Sequence, residues 1–147
     1  MNTTTNDREI ISTRVLPASP ASIVGAFRDP ALLASWWGPK GFTNTIHEFD
    51  FRPGGTWRLD MHGPDGRDYP NHWEFLEIGI DRLVMRHIDP NHGFLLTVTL
   101  AAEPGGTEVT WHMLFDDAGD CQRSKAFVPQ CNEELFDRLE SVLAAFN

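Results

Sequence analysis

The sequence predicts an α+β fold in which a seven-stranded, twisted antiparallel sheet wraps around one long C-terminal helix. Short runs of alternating apolar and polar residues, separated by Gly- and Pro-rich turns, indicate strands joined as a meander. Apolar residues at three- and four-residue steps from Asn132 to Phe146 indicate an amphipathic helix. Each strand has one apolar face, and this helix is the predicted element long enough to cover those faces. The sheet is therefore expected to curve around it.

The first quarter of the chain predicts one strand and two short helices. Residues 1–8 are polar and are expected to form a disordered tail, without the basic and apolar segments of a signal peptide. Glu9–Leu16 is rich in β-branched residues and predicts the first strand. Ser19 is a candidate N-cap for a helix over Ala21–Phe27, and Asp29 for a second helix over Pro30–Trp37. Residues 9–147 contain no repeat or linker and are expected to form one domain.

The rest of the chain predicts six strands and the long helix, in the overall order β-α-α-β6-α. Gly63-Pro64-Asp65-Gly66 is typical of a hairpin turn. Glu77 shares the apolar parity of its strand near the strand end, where an ion pair is its expected role. Pro129 is expected to stop the last helix from extending backwards, with a loop or shorter helix over residues 119–128. The six strands are predicted at Thr45–Phe51, Thr56–His62, Asp68–Ile78, Arg82–Ile88, Gly93–Ala101 and Thr107–Phe115.

Composition and charge exclude several classes of function. The 147 residues carry 12 Lys and Arg against 21 Asp and Glu, a net charge of −9, which opposes binding to nucleic acid or to an anionic membrane. No apolar run is long enough to cross a membrane. Because no export signal is seen, Cys121 and Cys131 are expected to be free thiols in a reducing cytoplasm. Neither they nor the six histidines have the spacing of a metal site. No metal and no cofactor are predicted.

The aromatic residues pose the main question about function. Five Trp and ten Phe stand beside one Tyr, and so many large rings either fill a dense core or line a cavity. Most of the strand aromatics share one parity, which faces the long helix. Methionines on the same parity suit an adaptable ligand pocket. The alternative is that these side chains simply fill the core, as most aromatic stripes do.

Two motifs give the chain a family resemblance. Trp36-Trp37-Gly38-Pro39 with Gly41-Phe42, and the segment 50–57 (DFRPGGTW), resemble the signature of the activator of Hsp90 ATPase homologue (AHSA1)-like family. This family belongs to the START-like, or SRPBCC, superfamily. The resemblance spans residues 10–146 and implies the helix-grip fold, whose members usually enclose a pocket between the sheet and the last helix.

One departure from the family pattern affects the expected pocket. Where relatives often have a Gly-Trp pair at the start of the last helix, this chain has Gln130-Cys131. A cysteine is much smaller than a tryptophan, so we expect this end of the pocket to be roomier or differently shaped. Ligand preferences therefore cannot be carried over from relatives.

Strand parity and the resemblance together predict a set of ligand-binding residues. His87 is the polar residue of most interest, because a buried imidazole can bind a ligand or exchange a proton. The alternative is a core histidine whose nitrogens are satisfied by the backbone. The set is Trp36, Trp37, Trp57, Leu59, Met61, Tyr69, Asn71, Trp73, Phe75, Met85, His87, Leu96, Trp111, Met113, Phe127 and Cys131.

These observations favour a non-enzymatic protein that binds a hydrophobic small molecule. Common nucleophile, P-loop and dinucleotide-binding motifs are absent, and no catalytic residue is assigned. Two alternatives stay open: a co-chaperone or stress-response module, as the family name suggests, and a cyclase- or hydrolase-type enzyme that uses His87 in the same cavity. A homodimer and an association with a chaperone are both possible.

Overall fold

The computed structural model describes residues 2–145 as one eight-stranded antiparallel sheet with four helices, the α+β helix-grip arrangement that the sequence predicted. The strand order in the sheet is β1-β2-β8-β7-β6-β5-β4-β3. The elements are β1 (Thr3–Thr5), β2 (Glu9–Leu16), α1 (Pro20–Arg28), α2 (Pro30–Trp36), β3 (Thr43–Phe49), β4 (Thr56–His62), β5 (Asp68–Ile78), β6 (Arg82–His87), β7 (Phe94–Glu103), β8 (Gly106–Phe115), α3 (Ala118–Ser124) and α4 (Val128–Ala144).

The eighth strand lies in the segment where a disordered tail was expected. β1 pairs antiparallel with β2, with Thr4 opposite Ile11. The hydroxyl groups of Thr3 and Ser12 are 2.8 Å apart and share a hydrogen bond. β1 escaped prediction because three threonines have no apolar face, although their β-branched side chains suit an edge strand.

Side-chain caps define the two short helices, as predicted. Ser19 accepts a hydrogen bond from the backbone N–H of Ser22 at 3.1 Å, and Asp29 accepts one from Ala31 at 3.0 Å. Both helices begin with a proline, whose missing N–H is not needed in the first turn. α2 packs against β3, and both helices contact α4.

A β-bulge in β5 corrects the predicted position of one side chain. The register shifts between Phe75 and Glu77, so that Glu77 lies opposite Val84 and Ile78 lies opposite Leu83. Glu77 thus leaves the apolar parity and is exposed. It forms the expected ion pair, with Arg82 at 2.7 Å.

The long helix begins earlier than predicted. α4 starts at Val128, and Pro129 occupies its first turn, where no intrahelical hydrogen bond is lost. The shorter α3 precedes it. The helix buries Leu135, Phe136, Leu139 and Leu143 and packs against β2. Phe146, the last residue of the predicted stripe, lies outside the described residues. Within residues 2–145, no helix is long and apolar enough to cross a membrane.

Candidate ligand-binding cavity

Trp37 lies between the aromatic core and a cavity. It follows α2 directly and is 5% exposed. Its ring packs edge-on against Trp57 at 4.9 Å between centroids and against Trp73 at 5.6 Å, and it also contacts Phe27, Trp36 and Trp111. Such edge-to-face contacts suit aromatic rings. In this cluster Phe27, Trp36 and Trp57 are fully buried in the core, whereas Trp37, Trp73 and Trp111 also line the cavity.

The cavity has a volume of about 430 Å³ and lies between the sheet, α4 and the loop after α2. Its walls are mainly apolar. The lining residues are Trp37, Gly38, Pro39, Phe42, Met61, Tyr69, Asn71, Trp73, His87, His92, Phe94, Leu96, Trp111, Met113, Phe127, Val128, Cys131, Asn132 and Leu135.

The cavity brings together most of the residues that the sequence predicted as a binding site. Phe127 is 55% exposed, whereas Met113 is 6% exposed, so the set spans exposed and buried parts of the wall. Their role in binding stays a prediction. The predicted residues that line the cavity are Trp37, Met61, Tyr69, Asn71, Trp73, His87, Leu96, Trp111, Met113, Phe127 and Cys131.

Five predicted residues belong to the core and do not line this cavity. Trp36 is fully buried, and its indole N–H donates to the carbonyl oxygen of Ala26 at 3.1 Å. Trp57 stacks parallel to Phe75, with ring centroids 6.1 Å apart. For the four strand residues, alternation correctly predicted the inner face of the sheet, but it does not indicate which part of that face is filled by other side chains. Trp36, which the family motif suggested, belongs to α2. The five are Trp36, Trp57, Leu59, Phe75 and Met85.

Several lining residues were missed, and some had a signal in the sequence. Phe94 shares the parity of Leu96, and Leu135 lies on the apolar stripe of α4. Gly38, Pro39 and Phe42 belong to the family motif. His92, Val128 and Asn132 had no periodic signal, because they lie in a turn or at the start of a helix.

The loop that follows Trp37 closes one side of the cavity and is held by α4. Arg138 donates hydrogen bonds from its guanidinium group to the backbone carbonyl oxygens of Ser35, Trp37, Gly38, Pro39 and Phe42, at 2.9–3.0 Å. Glu134 accepts one from the backbone N–H of Lys40 at 3.1 Å. Arg138 was not predicted, since a single arginine on the polar side of a helix pattern resembles ordinary surface charge.

His87 lies in the polar part of the wall, with a polar group of the protein beside each ring nitrogen. Its Nδ1–H donates to the carbonyl oxygen of His92 at 2.8 Å, and its Nε2 lies 3.1 Å from the side-chain oxygen Oδ1 of Asn71. Burial lowers the pKa of His87 below its ordinary value of 6.5. His87 thus lines the cavity as a buried imidazole whose contacts lie within the protein.

His92 forms a second polar feature beside His87. Its Nδ1 lies 2.9 Å from both carboxylate oxygens of Asp120, which is 6% exposed. Asp120 lies in α3, and its backbone N–H donates to the side chain of Asp117 at 2.8 Å. The sequence did not suggest this pair, since His92 and Asp120 are far apart in the chain.

The remaining polar groups near the cavity differ in how they are satisfied. Asn132 donates to the hydroxyl of Ser12 at 3.1 Å, and both residues are buried. The indole N–H groups of Trp57 and Trp73 are buried in the ring cluster, without a hydrogen-bond partner among the described residues.

Burial raises the pKa of the Cys131 thiol, as does Glu134, so this side chain is predominantly an uncharged thiol at neutral pH.

The described part of the chain contains no cluster of side chains suited to a metal ion. In residues 2–145, no group of three or more His, Cys, Asp or Glu side chains is arranged to hold an ion. Cys121 and Cys131 are free cysteines.

A known protein family matches most of the chain, including both motifs of the expected signature. The family described as activator of Hsp90 ATPase homolog 1-like proteins (AHSA1) matches residues 17–144. The chain belongs to the AHSA1-like family. The match covers both motifs of the predicted signature and the whole of α4. No curated protein matches the chain significantly.

Solved structures with low sequence identity share the fold of this AHSA1-like protein. One from Mycobacterium smegmatis has a TM-score of 0.88 at 22% identity, over 100% of this chain and 99% of its own. One from Arthrobacter aurescens has a TM-score of 0.88 at 21% identity, over 97% and 91% of the two chains. An AHSA1-like protein from Aeromonas hydrophila has a TM-score of 0.73 at 21% identity, over 94% and 93%. At such identities the likeness concerns the fold alone.

The family and the fold together indicate a ligand-binding or co-chaperone-type module. The START-like, SRPBCC fold expected from the motifs is confirmed.

Proposed function

We propose that this AHSA1-like protein binds a hydrophobic small molecule in the cavity between the sheet and α4. The observation that carries the proposal is a cavity of about 430 Å³ walled by three tryptophans, Trp37, Trp73 and Trp111. Its size is in the range of small-molecule pockets, roughly 300–1,000 Å³. A mainly apolar wall with a few polar groups is typical of such pockets.

The composition of the wall supports binding of a flat or flexible apolar ligand. Met61 and Met113 lie on the sheet side of the cavity, and their unbranched side chains adapt to the shape of a guest. Burying apolar ligand surface against such a wall stabilises a complex by about 25 cal/mol per Å². No charged group is needed to hold a neutral ligand.

Blocking the cavity from α4 tests the proposal. The probe is N-phenyl-1-naphthylamine, a neutral fluorophore whose emission rises in an apolar site. Cys131 lines the cavity, so Cys131→Trp should fill it and weaken probe binding about tenfold or more. Gln130→Trp is the matched control, because Gln130 is exposed and does not line the cavity.

Two outcomes separate success from failure of the proposal. Binding by the wild type and by Gln130→Trp, with loss in Cys131→Trp at unchanged thermal stability, supports it. Failure of the wild type to bind the probe, or equal binding by all three proteins, contradicts it.

A co-chaperone module is the second candidate, favoured by the name of the matching family. The net charge of −9 would suit a basic docking surface on a partner. The test adds the protein to a purified Hsp90-type chaperone and measures both association and the ATPase rate. An unchanged rate without association rules out this candidate.

A further inference from the structure

We propose that the ligand of this cavity carries a hydroxyl group, which donates a hydrogen bond to Nε2 of His92. The inference rests on the proposed function, since it concerns the same cavity. It names the chemical class of the ligand as an apolar molecule with one O–H donor.

The contact between His92 and Asp120 sets which ring nitrogen carries hydrogen. A carboxylate only accepts hydrogen bonds, so when the ring is neutral its hydrogen sits on the Nδ1 that lies 2.9 Å from both of those oxygens. Its Nε2 then has a lone pair and accepts a hydrogen bond. Asp120 is 6% exposed, which keeps this contact largely free from competition with water.

The backbone of His92 is held on two further sides. Its N–H donates to the Asp89 carboxylate at 2.9 Å, and its carbonyl oxygen accepts the Nδ1–H of His87 at 2.8 Å. The ring also packs edge-on against Phe94, with centroids 5.4 Å apart. These contacts position the imidazole before any ligand arrives, which limits the entropy lost on binding.

Nε2 of His92 is an acceptor without a protein partner among the described residues, on a residue that lines the cavity. His92 lines the cavity, and its side chain is 37% exposed. Nε2 forms no hydrogen bond with any residue of the described chain, 2–145. The neighbouring polar groups are directed at other protein groups: His87 Nδ1–H donates to the carbonyl oxygen of His92, and the Asn71 amide N–H donates to that of Tyr69. Nε2 of His87 faces Oδ1 of Asn71 at 3.1 Å. A ligand with an O–H group therefore gains a bond at Nε2 of His92 that a ligand without one cannot form.

Three aromatic probes of similar shape test the inference by isothermal titration calorimetry. They are 2-naphthol, which has an O–H donor, 2-methoxynaphthalene, which has the oxygen without the hydrogen, and naphthalene, which controls for size. We expect 2-naphthol to bind about threefold to tenfold more tightly than the other two, the effect of one ordinary hydrogen bond.

A pair of asparagine variants assigns the effect to His92. In His92→Asn the amide can still donate to Asp120 from the position of Nδ1, but Nε2 is lost, so the preference for 2-naphthol should disappear. His62→Asn is the matched control. His62 also binds a carboxylate through Nδ1, that of Asp68 at 2.6 Å, but does not line the cavity. This variant should keep the preference.

The outcomes distinguish failure of the inference from failure of the proposed function. Equal binding of the three probes by the wild type overturns the inference and leaves the proposed function standing. If none of the three binds, the proposed function fails and the inference with it. Because His92→Asn could disturb folding, imidazole ¹⁵N spectra of the wild type give a second measurement. The Nε2 resonance should move on adding 2-naphthol and stay in place with naphthalene, and an unmoved resonance at saturation overturns the inference.

Discussion

Arg138 donates a hydrogen bond to the backbone carbonyl oxygen of Trp37 at 2.9 Å, and so ties the long helix to the residue that divides core from cavity. The same guanidinium donates hydrogen bonds to the backbone carbonyl oxygens of Ser35 in α2 and of Gly38, Pro39 and Phe42 in the loop. No carboxylate among the described residues forms an ion pair with it. Burial lowers the pKa of Arg138. Carbonyl dipoles take the place of a counterion, which makes this arginine a structural clamp for the cavity wall.

Replacing Arg138 with methionine should therefore destabilise the fold and loosen the cavity. The substitution keeps much of the apolar side chain but removes every donor, so carbonyl oxygens of a partly buried loop lose their partners. We expect the free energy of unfolding to fall by about 2–4 kcal/mol. Urea unfolding measures this change, and titration with N-phenyl-1-naphthylamine should show weaker binding.

Arg58→Met is the control for this substitution. Arg58 is 54% exposed and forms a surface ion pair with Glu48 at 3.4 Å, a contact worth little in water. It should change stability by less than about 0.5 kcal/mol. Equal effects of the two substitutions would contradict the assigned role of Arg138.

Gly38 and Gly25 should respond in opposite directions to alanine. Gly38 has φ +93°, and a Cβ there would lie 2.7 Å from the terminal methyl group of Met61. Gly38→Ala should reduce stability by about 1–3 kcal/mol. Gly25 lies inside α1 with open space around it, so Gly25→Ala should raise stability by about 0.5–1 kcal/mol. Thermal melts of both variants check the signs, and a stabilised Gly38→Ala would show that the loop adapts freely.

The fold could be predicted from the sequence because its signals are local and periodic. The caps at Ser19 and Asp29, and the alternation in Thr56–His62, each report on a few neighbouring residues. The bulge after Phe75 was missed, because the pattern contains no mark for one extra residue until its partner strand is known.

The cavity could be predicted only in part, for a related physical reason. Alternation assigns a side chain to one face of the sheet, as it did for both Trp57 and Trp73. Whether the side chain is then enclosed in the core or lines a cavity depends on which helices cover that part of the face. Trp57 is enclosed in the core, whereas Trp73 reaches the cavity. Contacts such as His92 with Asp120, or Arg138 with Trp37, join segments that are distant in the chain. No periodicity relates their positions.

The buried imidazole of His87 should make stability fall as the solution becomes acidic. Burial lowers the pKa of His87 in the folded protein below the 6.5 of an exposed ring. Below that value the unfolded chain binds a proton that the folded protein binds less well, so the free energy of unfolding decreases as pH falls. The loss is complete once the pH lies below the pKa of the folded state. Above 6.5 both states are neutral at this position and His87 adds no pH dependence.

The His87→Gln variant isolates this contribution. Other titrating groups are shared by the two proteins, so the difference in unfolding free energy between them reports on position 87. We expect the wild type to lose stability relative to the variant as the pH is lowered from above 6.5 toward about pH 5. Urea unfolding across this range provides the measurement. A difference that stays constant with pH would show that His87 titrates alike in both states.

Cys131 should be alkylated slowly, and more slowly still when the cavity is occupied. Burial raises the pKa of its thiol, which lowers the fraction of the reactive thiolate at neutral pH. Because Cys131 lines the cavity, a bound ligand should also block the approach of iodoacetamide. Peptide mapping by mass spectrometry gives the rate at each cysteine, with saturating N-phenyl-1-naphthylamine and without it. Cys121 is fully buried outside the cavity and serves as the internal control. Protection at Cys131 without a matching change at Cys121 locates the ligand beside α4, whereas an unchanged rate at Cys131 places it elsewhere.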